Sequence, residues 1–207
     1  MVKSCFSKVV LNKELYKIVK WLNELNINEW FVGYGTLLGI IRHNSCIDQD
    51  DDIDILIDIK YKDDILEYAK KNNYIITDNI RSLLSIKSGE NSPSIDFYGC
   101  NVQDNNYHDL WENAIWTNIN PISTIDFNIV SNKSDTLGNK GNKGIIRLSK
   151  HIQDESSIKL NIPYQPWIKL RNRYGHEWYI PKSDIKSDIG SRPYITELGE
   201  STHKQIL

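Results

Sequence analysis

A glycine-rich turn, Gly33-Tyr-Gly-Thr-Leu-Leu-Gly39, is followed closely by a run of acids set into an apolar stretch, Asp50-Asp-Asp-Ile-Asp54. Residues 53–59 alternate Ile or Leu with Asp and are rich in β-branched side chains, which predicts a strand. Successive strand side chains face opposite ways, so Asp52 and Asp54 share one side while Ile53 faces the core. Two carboxylates held parallel on a rigid element repel unless a cation lies between them. Hard oxygen donors of this kind suit Mg²⁺ or Mn²⁺. Gly35 and Thr36 lie just upstream, where backbone N–H groups and a hydroxyl can hold a phosphate oxygen. A third apolar-flanked carboxylate, Asp96, follows Asp54 by 42 residues, enough chain for a neighbouring strand to bring it alongside. Asp50 joins the metal site if it shares the face of Asp52 and Asp54. Asp51 points away if the strand has already begun, and reads equally well as a turn or cap carboxylate.

The rest of the chain supplies an α/β frame. Leu11, Leu15, Ile18, Val19, Leu22 and Leu25 recur at spacings of three and four, which predicts a helix over 11–25. Strands are expected at 30–32, 74–77, 83–87 and 95–98, with helices over 37–42, 63–71 and 167–174, the last ended by Gly175. Residues 131–144 are rich in Gly, Asn, Lys and Ser and read as a flexible loop; order resumes over 158–163. The expectation is one domain over 1–182, a small mixed sheet flanked by helices. Its C-terminal third, from about 145, closes the site, and 183–207 form a tail. Trp111 and Trp116 read as core or pocket wall.

Composition narrows the function. The chain has 207 residues, 25 Lys plus Arg against 27 Asp plus Glu, and a net charge of -2, without the basic excess of a general nucleic-acid binder. No segment approaches the roughly 20 apolar residues of a membrane span, and the first residues lack an apolar signal core, so a cytoplasmic protein is expected. Three scattered cysteines argue against a disulfide scaffold, and the five histidines show no ligand pairing for zinc. The overall charge conceals an asymmetry. Six Asp side chains fall between 48 and 58 with no Lys or Arg among them, so the remainder carries +4.

A D-x-D pair alone does not choose between enzymes, since glycosyltransferases use one to hold a metal and a nucleotide sugar, and many Asp-rich runs are solvated loops. The combination is more specific. Gly35-Thr-Leu-Leu-Gly39 with Arg42, followed by Ile47 and Asp50-Asp-Asp-Ile-Asp54, resembles the signature of the LicD/fukutin-related family. Ile162-Pro163, then Tyr174-Gly-His-Glu-Trp178 with Pro181, resemble that family's later elements. The chain departs from the pattern at Asp48-Gln49, where the family commonly has Pro-Trp.

The resemblance implies a nucleotidyltransferase-type fold and transfer of a phospho-alcohol, such as phosphocholine or phosphoribitol, from a CDP-linked donor to a sugar or glycan hydroxyl. In that reading Asp52 and Asp54 hold the divalent metal, and Asp96 shares it or accepts the proton of the attacking hydroxyl. Gly35 and Thr36 position donor phosphate, and Arg42 neutralises charge on the departing CMP; a structural pairing of Arg42 with one of the acids is an equal alternative. Two rivals stand beside it: a nucleotidyltransferase moving an NMP to a small molecule or protein, and a non-catalytic nucleotide-binding relative. Tyr174–Trp178 reads as a packing and helix-ending element. His43, next to Arg42, is the one histidine placed near the motif.

Overall fold

The computed structural model describes residues 5–104, 106–116, 123–128, 157–181 and 201–203. Helix α1 (Lys8–Glu24) buries the expected stripe of Leu11, Leu15, Ile18, Val19 and Leu22, and adds Trp21. Its Ser7 side chain makes no capping bond. The N–H of Lys8 instead donates to the Asp48 carboxylate at 2.9 Å, a cap from 40 residues away that also suits the positive end of the helix. Strand β1 (Trp30–Val32) is buried throughout. Helix α2 (Tyr34–His43) begins inside the glycine turn, earlier than the expected 37, because the Leu37 N–H already finds the Gly33 carbonyl at 2.7 Å.

Strand β2 (Asp52–Asp58) carries the alternating acids. A 3-10 turn (Ile59–Tyr61), capped by the Asp58 carboxylate, leads into α3 (Lys62–Lys71). The hairpin of β3 (Ile75–Ile80) and β4 (Leu83–Lys87) follows, then the long β5 (Ser94–Gln103). After these come β6 (Asn106–Asp109), β7 (Ala114–Trp116), β8 (Ser123–Asn128), β9 (Ser157–Ile162), α4 (Pro166–Tyr174) and β10 (Ser201–His203).

The main sheet runs β1-β2-β5-β6-β7-β10, with β4 and β3 branching from β5. Strand β5 can serve three neighbours because it is long. Along one edge its residues 94–100 pair with β2; along the other, 95–98 meet β4 and 100–103 meet β6. Among the described strands the β2–β5 ladder is parallel and every other ladder is antiparallel.

Strand alternation then separates two faces. Ile53, Ile55, Ile57, Ile95 and Phe97 join the core with α1, where the Trp21 ring meets Phe97 edge-on at 5.9 Å. Asp52, Asp54, Asp96 and Tyr98 belong to the other face. The β8–β9 pair adds Phe127, Leu160 and Ile162 to the same core. No helix among the described residues is long and apolar enough to cross a membrane.

The mixed α/β class is as expected, and the structure extends the sequence reading. The 95–98 segment continues to Gln103, and β6, β7 and β8 have no counterpart in that reading: β6 and β7 are short, whereas β8 repeats the Ile-Asp-Phe pattern of 95–97 and could have been found by it. Trp116 is core, but Trp111 is 48% exposed and is not core. The 131–144 segment lies outside the described residues, as does most of 183–207, of which residues 201–203 pair with β7.

Gly39 is where α2 touches the loop leading to the acids. A Cβ there would sit 2.6 Å from the Ser45 carbonyl oxygen and 2.8 Å from the Ile47 nitrogen, both backbone atoms that cannot step aside. Gly39→Ala should destabilise the protein by about 1–3 kcal/mol through this overpacking, read as a lowered midpoint in urea unfolding. A midpoint equal to wild type would show that the loop yields freely.

Candidate active site

The acids are delivered by a loop held at several points. Asn12 on α1 accepts the Cys46 N–H at 2.9 Å and donates to the Ser45 hydroxyl at 3.1 Å. Phe6 pairs with Asp50, its N–H donating to the Asp50 carbonyl at 2.8 Å while its own carbonyl accepts from Gln49 at 2.9 Å. Gln49 adopts a left-handed φ of 68°, which turns the chain just before the acids. Asp50 is buried, Asp51 and Asp52 half-buried, and one carboxylate oxygen from each lies within 4.8 Å of the other two. Because β2 starts at Asp52, alternation does not bind Asp51, and it joins its neighbours instead of facing away.

Asp54 and Asp96 are direct partners in the parallel ladder, as the sequence spacing allowed. Ser94 steadies Asp96, its hydroxyl donating to Oδ1 at 2.6 Å. Asp54 is gripped on both oxygens: the Thr36 N–H donates to Oδ2 at 3.2 Å and the Tyr98 hydroxyl to Oδ1 at 3.3 Å. The Asp54 N–H in turn donates to the Thr36 hydroxyl at 2.8 Å, so Thr36 and Asp54 lock the start of α2 onto β2. Gly35 lies in the same buried first turn. Burial, with Asp50 and Asp96 as like-charged neighbours, pushes the Asp54 carboxyl up to about 8. The Tyr98 phenol is pushed up as well, by burial and by Asp54, Asp96 and Asp52 together. These carboxylates therefore form one electrostatic unit.

Such a unit needs either protons or a cation. An all-oxygen carboxylate set suits a hard divalent ion, so Asp50, Asp51 and Asp52 are residues able to hold one. Among the described residues this close group does not include Asp54 or Asp96, which pair with each other in the ladder instead.

The expected accessory residues Arg42 and Trp178 meet each other. Arg42 lies in the last turn of α2, about 9 Å along the axis from Thr36. Its Nη1 donates to the Trp178 carbonyl at 3.2 Å and its Nε to His43 at 3.0 Å. Tyr174–Trp178 ends α4, the Gly175 N–H returning to the Arg171 carbonyl at 2.8 Å. Sequence reasoning missed Tyr98, although it lies two residues past Asp96 on the same strand face. It also missed Tyr34, Asp109, Glu112 and Arg173. No local pattern marks those four, because long-range packing alone joins them.

A family model described as "LicD/FKTN/FKRP, nucleotidyltransferase domain" matches residues 26–134, the stretch that carries the glycine turn, the acidic loop and Asp96. The chain belongs to this family. No curated protein sequence matches it. Among solved structures it is similar to the antibiotic-resistance factor ANT(2'')-Ia in solution, at 14% identity and TM-score 0.43, over 51% of this chain and 55% of that one. Crystalline ANT(2'')-Ia in complex with adenylyl-2''-tobramycin gives 15% and 0.42, over 49% and 56%. Lincomycin-bound lincosamide antibiotic adenylyltransferase LnuA gives 20% and 0.36, over 50% and 60%. The LicD-family chain thus spans little more than half the length of these proteins.

The raised Asp54 carboxyl has a stability consequence. Its folded value, about 8, lies above the ordinary 3.8, so the folded state binds the extra proton between those limits. Its contribution is complete below about pH 4 and is lost as pH rises through about 8. Without metal, the melting temperature of wild type should fall more steeply between pH 6 and pH 8 than that of Asp54→Asn. Parallel profiles from thermal melts of the two proteins would refute this.

Proposed function

We propose that this chain is a divalent-metal-dependent phosphotransferase, moving a phospho-alcohol group from a CDP-linked donor to a sugar or glycan hydroxyl through one catalytic domain over residues 1–182. The observation that carries the reading is the pairing of Asp54 with Asp96 beside the Asp50–Asp52 cluster, under the first turn of α2. Transfer of a phosphoryl-type group needs in-line positioning and charge stabilisation more than a special nucleophile. A bound Mg²⁺ or Mn²⁺ supplies positive charge for the donor pyrophosphate.

The protein residues do the rest. Asp52 and Asp54 hold the ion, with Asp50 and Asp51 beside Asp52 and Asp96 the register partner of Asp54 on the neighbouring strand. Asp96, oriented by Ser94, accepts the proton of the attacking hydroxyl. Thr36 acts chiefly by fixing Asp54, while Gly35 and the positive end of α2 face donor phosphate. Arg42, oriented by the Trp178 carbonyl, offsets charge on the departing CMP.

The family's description as a nucleotidyltransferase domain favours a second reading, transfer of an NMP from an NTP to a small molecule or protein. The two reactions differ in which side of the donor pyrophosphate linkage reaches the acceptor. Incubation with CDP-choline, CDP-ribitol, CDP-glycerol, CTP or ATP, plus Mg²⁺ or Mn²⁺ and a panel of sugars, separates them by product mass. A gain of a phospho-alcohol supports the proposal, and a gain of a nucleotide monophosphate supports the rival. Asp96→Asn should lower kcat by roughly 10²–10⁴-fold. Asp54→Ala should remain folded and abolish transfer; an active, folded Asp54→Ala protein would remove the assignment.

A further inference from the structure

Tyr34 has an unusual backbone for its residue type. Its φ is 45°, in the left-handed region, although it carries a bulky aromatic side chain between two glycines. Among the described residues, the other non-glycine positions with positive φ are Asn, Asp or Gln, and Tyr34 is the one aromatic. A conformation of this cost persists only where the surroundings over-determine it.

The surroundings do so here from three directions. The Tyr34 hydroxyl donates to Asp109 Oδ2, a fully buried carboxylate at the end of β6 whose other oxygen accepts the Trp111 N–H at 2.8 Å. The Arg173 guanidinium, from α4, lies 4.0 Å from the Tyr34 ring centre. Arg173 is in turn held by a two-pronged pair with Glu112, at 2.6 and 2.7 Å. The third contact is the Tyr98 ring, edge-on to Tyr34 at 4.7 Å. Tyr98 and Thr36 are the two donors that grip Asp54, and Tyr34 touches one and precedes the other by two residues.

We propose that Tyr34 is a positioning residue for Asp54: clamped by Asp109 and by the Arg173–Glu112 pair, it aims both the first turn of α2 and the Tyr98 hydroxyl at the two oxygens of that carboxylate. Helix α4 thereby takes part in the site without supplying a ligand. This inference rests on the carboxylate cluster being a metal site, but not on which group is transferred.

The test is Mn²⁺ binding to the full chain, by calorimetry, alongside the metal-free melting temperature. Tyr34→Phe keeps the ring and loses the Asp109 bond; Tyr34→Leu also loses the ring contacts. Affinity should fall in the order wild type, Tyr34→Phe, Tyr34→Leu, with about a tenfold loss for the first step, as for other residues that orient metal ligands. Tyr68→Phe serves as control, since its hydroxyl reaches Glu24, away from the acids; it should leave Mn²⁺ affinity unchanged whatever it does to melting. In an Asp54→Asn background, Tyr34→Phe should cause no further loss of affinity.

Wild-type affinity in a folded Tyr34→Phe protein, with only its melting temperature lowered, would overturn the inference and leave the metal site standing. So would an equal loss in both backgrounds. A wild-type protein that takes up no Mn²⁺ would overturn the metal reading and this inference together. Should Tyr34→Leu fail to fold, Tyr34→Phe and its double variant decide alone.

Discussion

Two carboxylates stand side by side in a strand ladder, and most of the molecule is arranged around that fact. Asp54 and Asp96 are register partners in β2 and β5, and Asp54 is buried as well. Like charges at such separation, away from bulk water, are unfavourable unless something positive or a proton intervenes. The first turn of α2 brings an N–H and the positive end of a helix, Tyr98 brings a hydroxyl, and Arg173 adds a buried positive charge that favours the ionised Asp54. These donors still leave the Asp54 carboxyl near 8. The neighbouring Asp50–Asp52 group, all oxygen donors, has the chemistry that suits a divalent ion.

The segment ahead of α1 bears on the site as much as the sheet does. Phe6 pairs with Asp50, and the Lys8 N–H is received by Asp48. The same few bonds start the first helix and set the path of the acidic loop. Asp48 and Gln49, which stand where relatives commonly carry Pro-Trp, have local tasks here. One is a helix cap, and the other turns the chain at positive φ. Asp58, at the far end of β2 and about 20 Å from Asp52, caps the 3-10 turn and binds Lys60 at 3.0 Å. The acidic run seen in the sequence is therefore three things in space: a cap, a cluster and a turn.

The chemistry-bearing core was legible because it is local and periodic. Gly35, Thr36, Asp52 and Asp54 sit within one short stretch, and alternation assigns a face to each acid. Asp96 was legible as an isolated acid between apolar neighbours, but its distance from Asp54 was open until the parallel ladder set it. The role of Thr36 was less readable. A hydroxyl in a glycine turn suggests phosphate; in the folded chain its oxygen also accepts the Asp54 N–H, and its own hydrogen can still donate. Trp111 and Trp116 look alike in sequence, yet one is half exposed and the other core, because only Trp116 packs against Phe31 and Tyr34.

By itself the sequence determined the fold class, the strand that bears the acids and the family, because alternation, helical spacing and the glycine turn act over a few residues each. Tertiary structure alone decided how those acids are held. Asp51 joins Asp50 and Asp52 because the strand begins one residue later than it. Tyr34 keeps a left-handed backbone because Asp109 and Arg173, from distant elements, hold its side chain. The physical reason is common to both. Contacts between residues far apart in the chain depend on how elements pack and pair, and local spacing carries no record of that.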